Sequence, residues 1–198
     1  VPINGMENGK VYWSNWSGLS DVSQFIQVQR GLGASALGIS SVGGTMNMVT
    51  KSTEAQKGGS AYFGIGNDGF RKYSVSFSTG LMDNGWAITF MGALNTGDGY
   101  VKGTNYEGWT YFGNISKVIN DHHKLSLTAF GAPQWHNQRS TMHYIEDYKN
   151  SPDGGRFNNG YGYINGEAVG SGYGYNYYHK PQVSLNHYWT IDDKSTLT

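Results

Sequence analysis

The chain has 198 residues, 14 basic and 14 acidic, for a formal net charge of zero. That balance offers no basic surface for nucleic acid and no acidic tail. The absence of cysteine excludes disulfide staples, thiolate metal sites and a cysteine nucleophile. Glycine numbers 30, about twice its usual share of roughly 7%, and charged residues make up 14% against roughly 25% in ordinary domains. With 15 tyrosines and 15% aromatics, this composition fits a turn-rich β-protein better than a disordered chain. No apolar run approaches the roughly 18 residues of a membrane helix. Membrane strands escape that test, because they alternate and average out as polar. The chain opens at Val1-Pro2-Ile3 without methionine, so its native N-terminus is expected upstream.

In chain order, Leu19-Ser20-Asp21-Val22-Ser23 predicts one helical turn capped by Ser20 or Asp21. Ile26 to Arg30 alternates and predicts a short strand. Residues 31–44 are rich in Gly, Ser and Ala, with too few apolar positions for a helix. Thr45 to Thr50 predicts a second short strand. The texture changes near Lys57-Gly58-Gly59. Beyond it, alternation predicts about six strands, near residues 60–66, 70–80, 86–95, 109–118, 124–134 and 182–191. The chain is expected to end inside a seventh. On the third strand Trp86, Ile88, Phe90 and Leu94 share one face, with Ala87, Thr89, Met91, Ala93 and Asn95 on the other. On the last, Val183, Leu185, Trp189 and Ile191 share a face that His187 interrupts. The links at 82–85, 120–123 and 192–194 are tight, whereas those after Asn95 and Gln134 are long. Asn67-Asp68-Gly69 is short where a long loop is expected. Short turns at one end, long loops at the other and aromatics near strand ends (Trp86, Trp109, Tyr111, Trp189) match an outer-membrane barrel. A soluble β-sandwich also alternates. Six strands do not close a barrel, so that reading expects further strands beyond the chain.

The run Ile26-Gln27-Val28-Gln29-Arg30-Gly31-Leu32-Gly33-Ala34-Ser35-Ala36-Leu37-Gly38 continues to Val42-Gly43-Gly44-Thr45-Met46-Asn47-Met48-Val49-Thr50-Lys51. Together they resemble the segment that closes the plug domain of TonB-dependent outer-membrane receptors. There a strand ends in Arg-Gly, a small-residue stretch comes next, and then Gly-Gly-x-x-Asn-x-x-Thr-Lys. Val1-Pro2-Ile3-Asn4-Gly5 resembles the stretch just after the family's Asp-Gly. Leu32 departs from the pattern, since many members carry proline there. The resemblance implies a mainly all-β fold: residues 1–57 as the C-terminal part of a plug domain, and 58–198 as the first antiparallel strands of a large transmembrane β-barrel.

The motif residues are Arg30, Gly31, Gly43, Gly44, Asn47 and Lys51. Glycines there let backbone approach backbone and supply positive φ. By resemblance, Arg30 lies at the plug–barrel junction in a structural or gating ion pair; otherwise it is a solvated strand-end arginine. Asn47 otherwise reads as a turn-satisfying amide. Two regions are candidates for ligand contact. Residues 4–16 hold Met6, Glu7, Asn8, Tyr12, Trp13 and Trp16, in the part of the plug that the resemblance directs to the external mouth. The link 135–179 holds His136, His143, Glu146, Asp147, Tyr161, Tyr163, Tyr173, Tyr175, Tyr177 and Tyr178. Tyrosine combines flat apolar area with a hydroxyl, which suits sugars and siderophores. His122 and His123 read as a solvated turn. His136, His143 and His179 are too scattered to predict a metal site. Asp153-Gly154-Gly155 reads as a turn, without the alternating acids of a calcium loop.

No Gly-x-Ser-x-Gly elbow, P-loop or His-Glu-x-x-His is present, so no enzyme and no cofactor is expected. Gly64-x-Gly66-x-x-Gly69 matches a dinucleotide fingerprint by letter but opens no helix. The implied function is TonB-dependent active uptake of a nutrient across the bacterial outer membrane: an iron-siderophore, cobalamin, a glycan or a peptide. The implied partners are TonB (through an upstream segment), the lipid bilayer, a small nutrient ligand and an outer-membrane lipoprotein. The alternatives are a soluble glycan-binding β-sandwich and a plugless porin or adhesin barrel.

Overall fold

The computed structural model describes residues 9–16, 18–31, 43–50, 55–139, 142–169 and 174–198. The fold is mainly β, with antiparallel sheets. A 3-10 turn, Trp13–Trp16, leads into α1 (Leu19–Val22). This helical turn is capped by Gly18 in a left-handed conformation, not by a Ser20 or Asp21 side chain. Asp21 instead reaches a lysine of the main sheet. β1 (Ser23–Arg30) and β2 (Gly44–Thr50) pair as a two-stranded sheet, with Arg30 opposite Gly44 and Gln27 opposite Asn47.

The main sheet comes next in the chain, as a meander. Its strands are β3 (Gly58–Ile65), β4 (Arg71–Leu81), β5 (Trp86–Gly97), β6 (Tyr106–Val118), β7 (His123–Gly131) and β8 (Gln134–Asn137). Within the long link lie α2 (Ile145–Asn150) and the small pair β9 (Gly162–Ile164) and β10 (Glu167–Val169). β11 (Tyr175–Tyr178), β12 (Gln182–Asp192) and β13 (Ser195–Leu197) complete it. The hydrogen-bonded order is β13-β12-β7-β6-β5-β4-β3, with β8 between β6 and β11.

The long link differs from the sequence expectation. Strand 124–134 does not give way to a loop after Gln134. β8 keeps the register of β7 against β6, and β11 keeps the register of β12 on the other side. The hairpin is therefore one long ladder, interrupted at a single level by residues 132–133 and 179–181. Pro133 and Pro181 explain the break, since proline has no N–H to donate. The ladder resumes through Trp135, Tyr175, Tyr177 and Tyr178, all good strand formers.

The tight turns 82–85, 119–122 and 193–194 fall at one end of the sheet and the longer links at the other. Gly85 donates to Met82 O, and Asn120 Oδ1 accepts from the backbone of His122 and His123. These Asn and Gly residues close the turns through local hydrogen bonds.

The two faces of the sheet are dressed in the opposite sense to a water-soluble sandwich. The bare face carries the large apolar side chains. Ile88, Ile115, Leu127 and Leu185 form one cross-strand row, and Phe77 packs on Phe90 at 5.9 Å between rings. Phe90 is 49% exposed and Val183 69%. The covered face carries mostly small and polar groups around Met91, Phe112 and Phe130: Ser78, Thr89, Asn114, Ser116 and Ser126 are all buried. Asn114 donates to Ser126 Oγ at 2.9 Å and to Thr128 Oγ1 at 2.7 Å, and Ser116 donates to Asn114 Oδ1 at 2.8 Å. These bonds compensate the burial of their polar groups.

Candidate functional site

The N-terminal segment packs on the covered face through its apolar residues. Val11, Trp16, Leu19 and Val22 pack with Met91, Ala93, Phe112, Phe130 and Ala132 of the sheet. Trp16 stacks on Phe130 with ring centroids 6.1 Å apart and planes 7° apart, and Lys180 lies over its ring at 5.8 Å. Gln134 donates to Asn15 Oδ1 at 3.4 Å. Gly18, at φ +81°, lies so close to Thr110 that a Cβ there would overlap the threonine side chain. Only glycine meets both demands, the left-handed backbone and the close approach.

One ion pair joins segment and sheet among the described residues. Lys72 Nζ donates to both Asp21 carboxylate oxygens at 2.7 Å, with both side chains about three-quarters covered. Asp21 comes from α1 and Lys72 from β4. Sequence reading passed over Lys72, although a signal was there. It shares strand parity with Ser74, Ser76 and Ser78, so it is a lone charge on a hydroxyl face.

Among the motif residues, Gly31 has φ +76° and Gly44 φ +125°, and a Cβ on Gly44 would run into Gln29 O. Glycine is thus favoured on both sides of the link between β1 and β2. Gly43 precedes this position and is exposed. Asn47 donates to Gln27 Oε1 at 3.1 Å, directly across the hairpin. Arg30 ends β1 exposed, and among the described residues no carboxylate bridges it. Lys51, the run 32–42, residues 1–8 with Met6, Glu7 and Asn8, and Tyr173 lie outside the described residues.

The expected ligand residues do not gather at one place. Tyr12 and Trp13 are about half exposed on the N-terminal segment. Trp16, only 7% exposed, is a packing residue against Phe130. Tyr161 and Tyr163 meet edge to face at 5.9 Å in the long link, where Tyr161 lies against Gly103. Tyr175 stacks on Trp135 at 6.2 Å, and by register both lie on the apolar face of the hairpin.

The links at the loop end are clamped together by charges that sequence reading did not single out. Arg156 pairs with Asp68 at 2.6 Å, lies over the Tyr100 ring at 4.8 Å and donates to Tyr100 O at 3.2 Å. Lys102 pairs with Asp153, and Asn158 donates to Lys102 O at 2.8 Å. The hydrogen bond to Asp153 holds the Lys102 ammonium above the ordinary lysine range. Asp153 thus serves as an ion-pair partner as well as a turn residue.

At the opposite end, His123 and His187 share a 3.0 Å hydrogen bond and stack, with Trp189 stacked on His123 at 5.8 Å. His123 is therefore packed rather than merely solvated. His122 Nδ1 lies 2.8 Å from Thr190 O. Lys117 reaches over Trp86 at 5.3 Å and donates to Asn84 O at 2.6 Å, keeping its charge at the turn. No protein-family model matches the chain, and no curated protein matches it.

Proposed function

We propose that this chain is part of a TonB-dependent outer-membrane receptor that takes up a nutrient across the bacterial outer membrane. On this reading the main sheet is the first stretch of barrel wall, and residues up to 57 are the end of the plug. The observation that carries it is the inverted dressing of the sheet. Large apolar side chains stand bare on one face, while hydroxyls and amides are buried on the other, where a segment of the same chain packs on Met91, Phe112 and Phe130. A soluble sandwich buries its apolar face, and a lipid-facing wall leaves it bare. From Trp86 to Leu94 the strand rises about 27 Å at ~3.4 Å per residue. Tilted by roughly 40°, it spans about 20 Å, close to the roughly 25 Å apolar band of such barrels. Trp86 and Trp189 stand toward the turn end, and Trp109 and Tyr111 toward the loop end, in the manner of interfacial girdles. The sheet's edges, β3 and β13, require further strands to pair with, because lipid does not satisfy backbone groups. The Arg-Gly…Gly-Gly-x-x-Asn-x-x-Thr-Lys run supports the plug assignment.

By this reading, nutrient binds from outside to plug and loops. TonB, engaging a segment upstream of these residues, draws on the inner-membrane proton gradient to work on the plug. A lumen closed by a plug holds its ligand until such work is done. The test is full-length protein expressed with its own signal. A band that shifts on gels after boiling, recovered in outer-membrane fractions, is the expected result. A water-soluble product folding from residues 1–198 alone overturns the proposal in favour of a glycan-binding sandwich.

A further inference from the structure

We infer that the turn end of the bare face holds the phosphoglycerol headgroup of an anionic phospholipid, with its phosphate on Lys117 and its hydroxyls on the His123–His187 pair. This rests on the transport reading above, which puts the bare face in lipid and the tight turns at the periplasmic leaflet. By register, Trp86, Lys117, Leu125 and His187 form one row across four neighbouring strands, with His123 and Trp189 one row nearer the turns. The next row inward is Ile88, Ile115, Leu127 and Leu185, a surface for acyl chains. Three basic side chains thus break an apolar face at one level, between two tryptophans that are each 41% exposed. The acids at this end, Asp83, Asp121, Asp192 and Asp193, sit in or beside the turns, and Asp192 accepts from the Lys194 N–H at 2.8 Å. At the loop end the same face carries opposite charges together, Arg71 and Glu107 on either side of Thr96.

The chemistry of the three groups sets the headgroup. Lys117 gives one N–H to Asn84 O, which leaves two of its three ammonium donors. An ammonium at the edge of lipid is costly without an opposite charge, and a phosphate supplies one. The histidines share one hydrogen bond, between His123 Nδ1 and His187 Nε2. A neutral imidazole has one N–H and one bare nitrogen. Whichever ring donates the shared bond, the pair therefore keeps one outer N–H and one outer acceptor. A diol matches both, since each hydroxyl donates and accepts. An ethanolamine head offers the N–H no acceptor and sets a second ammonium near Lys117. Lys117 and His187 flank Leu125, about 10 Å apart at two strand spacings of ~4.8 Å. A phosphoglycerol group and the two side chains cover that span together.

The experiment is native mass spectrometry of the full-length protein, released from micelles holding phosphatidylglycerol, phosphatidylserine and phosphatidylethanolamine in equal amounts with the same acyl chains. Wild type is expected to retain phosphatidylglycerol at least threefold over phosphatidylethanolamine and at least twofold over phosphatidylserine. Lys117→Met and His187→Leu are each expected to bring the first ratio near one. Lys117→Arg keeps it, as does Arg71→Met at the other end of the face. A wild-type ratio of one overturns the site. So does an unchanged ratio in Lys117→Met and His187→Leu, in protein that still shifts on boiling. An equal loss in Arg71→Met reduces the effect to overall charge and overturns it too. Phosphatidylserine retained as well as phosphatidylglycerol overturns the contact between histidines and hydroxyls. A preference that vanishes in EDTA assigns the histidines to a divalent metal ion instead. Wild-type protein that fails to shift on boiling sinks the transport reading itself, and this inference with it.

Discussion

Gly18 shows how much can rest on one hydrogen atom. Its backbone is left-handed, at φ +81°, and its Cα lies against a threonine that is 2% exposed. In Gly18→Ala the backbone alone costs about 1–2 kcal/mol, and displacing Thr110 adds to that. The docked segment is expected to open, so chymotrypsin cuts faster near Tyr12 and Trp13 while the sheet stays resistant. Adding Thr110→Ala relieves the overlap but not the backbone strain, so protection returns only in part. Unchanged cleavage in Gly18→Ala contradicts this account. The sequence singled out Gly31, Gly43 and Gly44 by their local pattern, and at Gly31 and Gly44 the backbone conformation favours glycine. Gly18 carried no such signal, because its requirement comes from a partner on β6. Asp21 was read as a cap for the same reason: Lys72, its actual partner, lies on another element.

Among the elements, the strands were the most legible. Their alternation and turn residues placed all six expected strands within a few residues of where they lie. The pattern also showed which residues share a face. It did not show which face would be covered, because that depends on what docks there. Phe90→Arg separates the two environments for the bare face. Facing lipid near mid-depth, arginine costs about 2–4 kcal/mol; on a surface in water such a change stays within about 0.5 kcal/mol. Urea unfolding of the full-length protein in lipid vesicles is expected to show the larger loss, and a variant as stable as wild type counts against a lipid-facing sheet. The continuation of the hairpin through β8 and β11 was the least legible part. Pro133 and Pro181 are signals to stop a strand, and only the retained register shows that the ladder resumes.

For the molecule as a whole, the alternation of tight turns and long links was readable, but the clamp joining those links was not. Asp68, Tyr100, Lys102, Asp153 and Arg156 come from three separate links with no common pattern. The clamp has a defined pH response. The Lys102 ammonium titrates above its unfolded value through its bond to Asp153. Its contribution is therefore complete below the unfolded value and is lost as pH rises through the raised one. A spin-label distance between Lys149 and Asp121 is expected to hold steady across neutral pH and to broaden in strong alkali. Lys102→Met broadens it already at neutral pH. A distribution that broadens on acidification through neutrality instead assigns the clamp to another group.

The paired proline interruption in the long hairpin also bears on how the protein varies. Below that crease, β7 and β12 hold each other and β6 by an unbroken ladder. Above it, the stem is held by its own pairing, by β8 against β6, and by the clamp. Insertions or deletions above the crease leave every pair below it in step. The part of the chain above the crease can thus be rebuilt by evolution without altering the sheet that carries it.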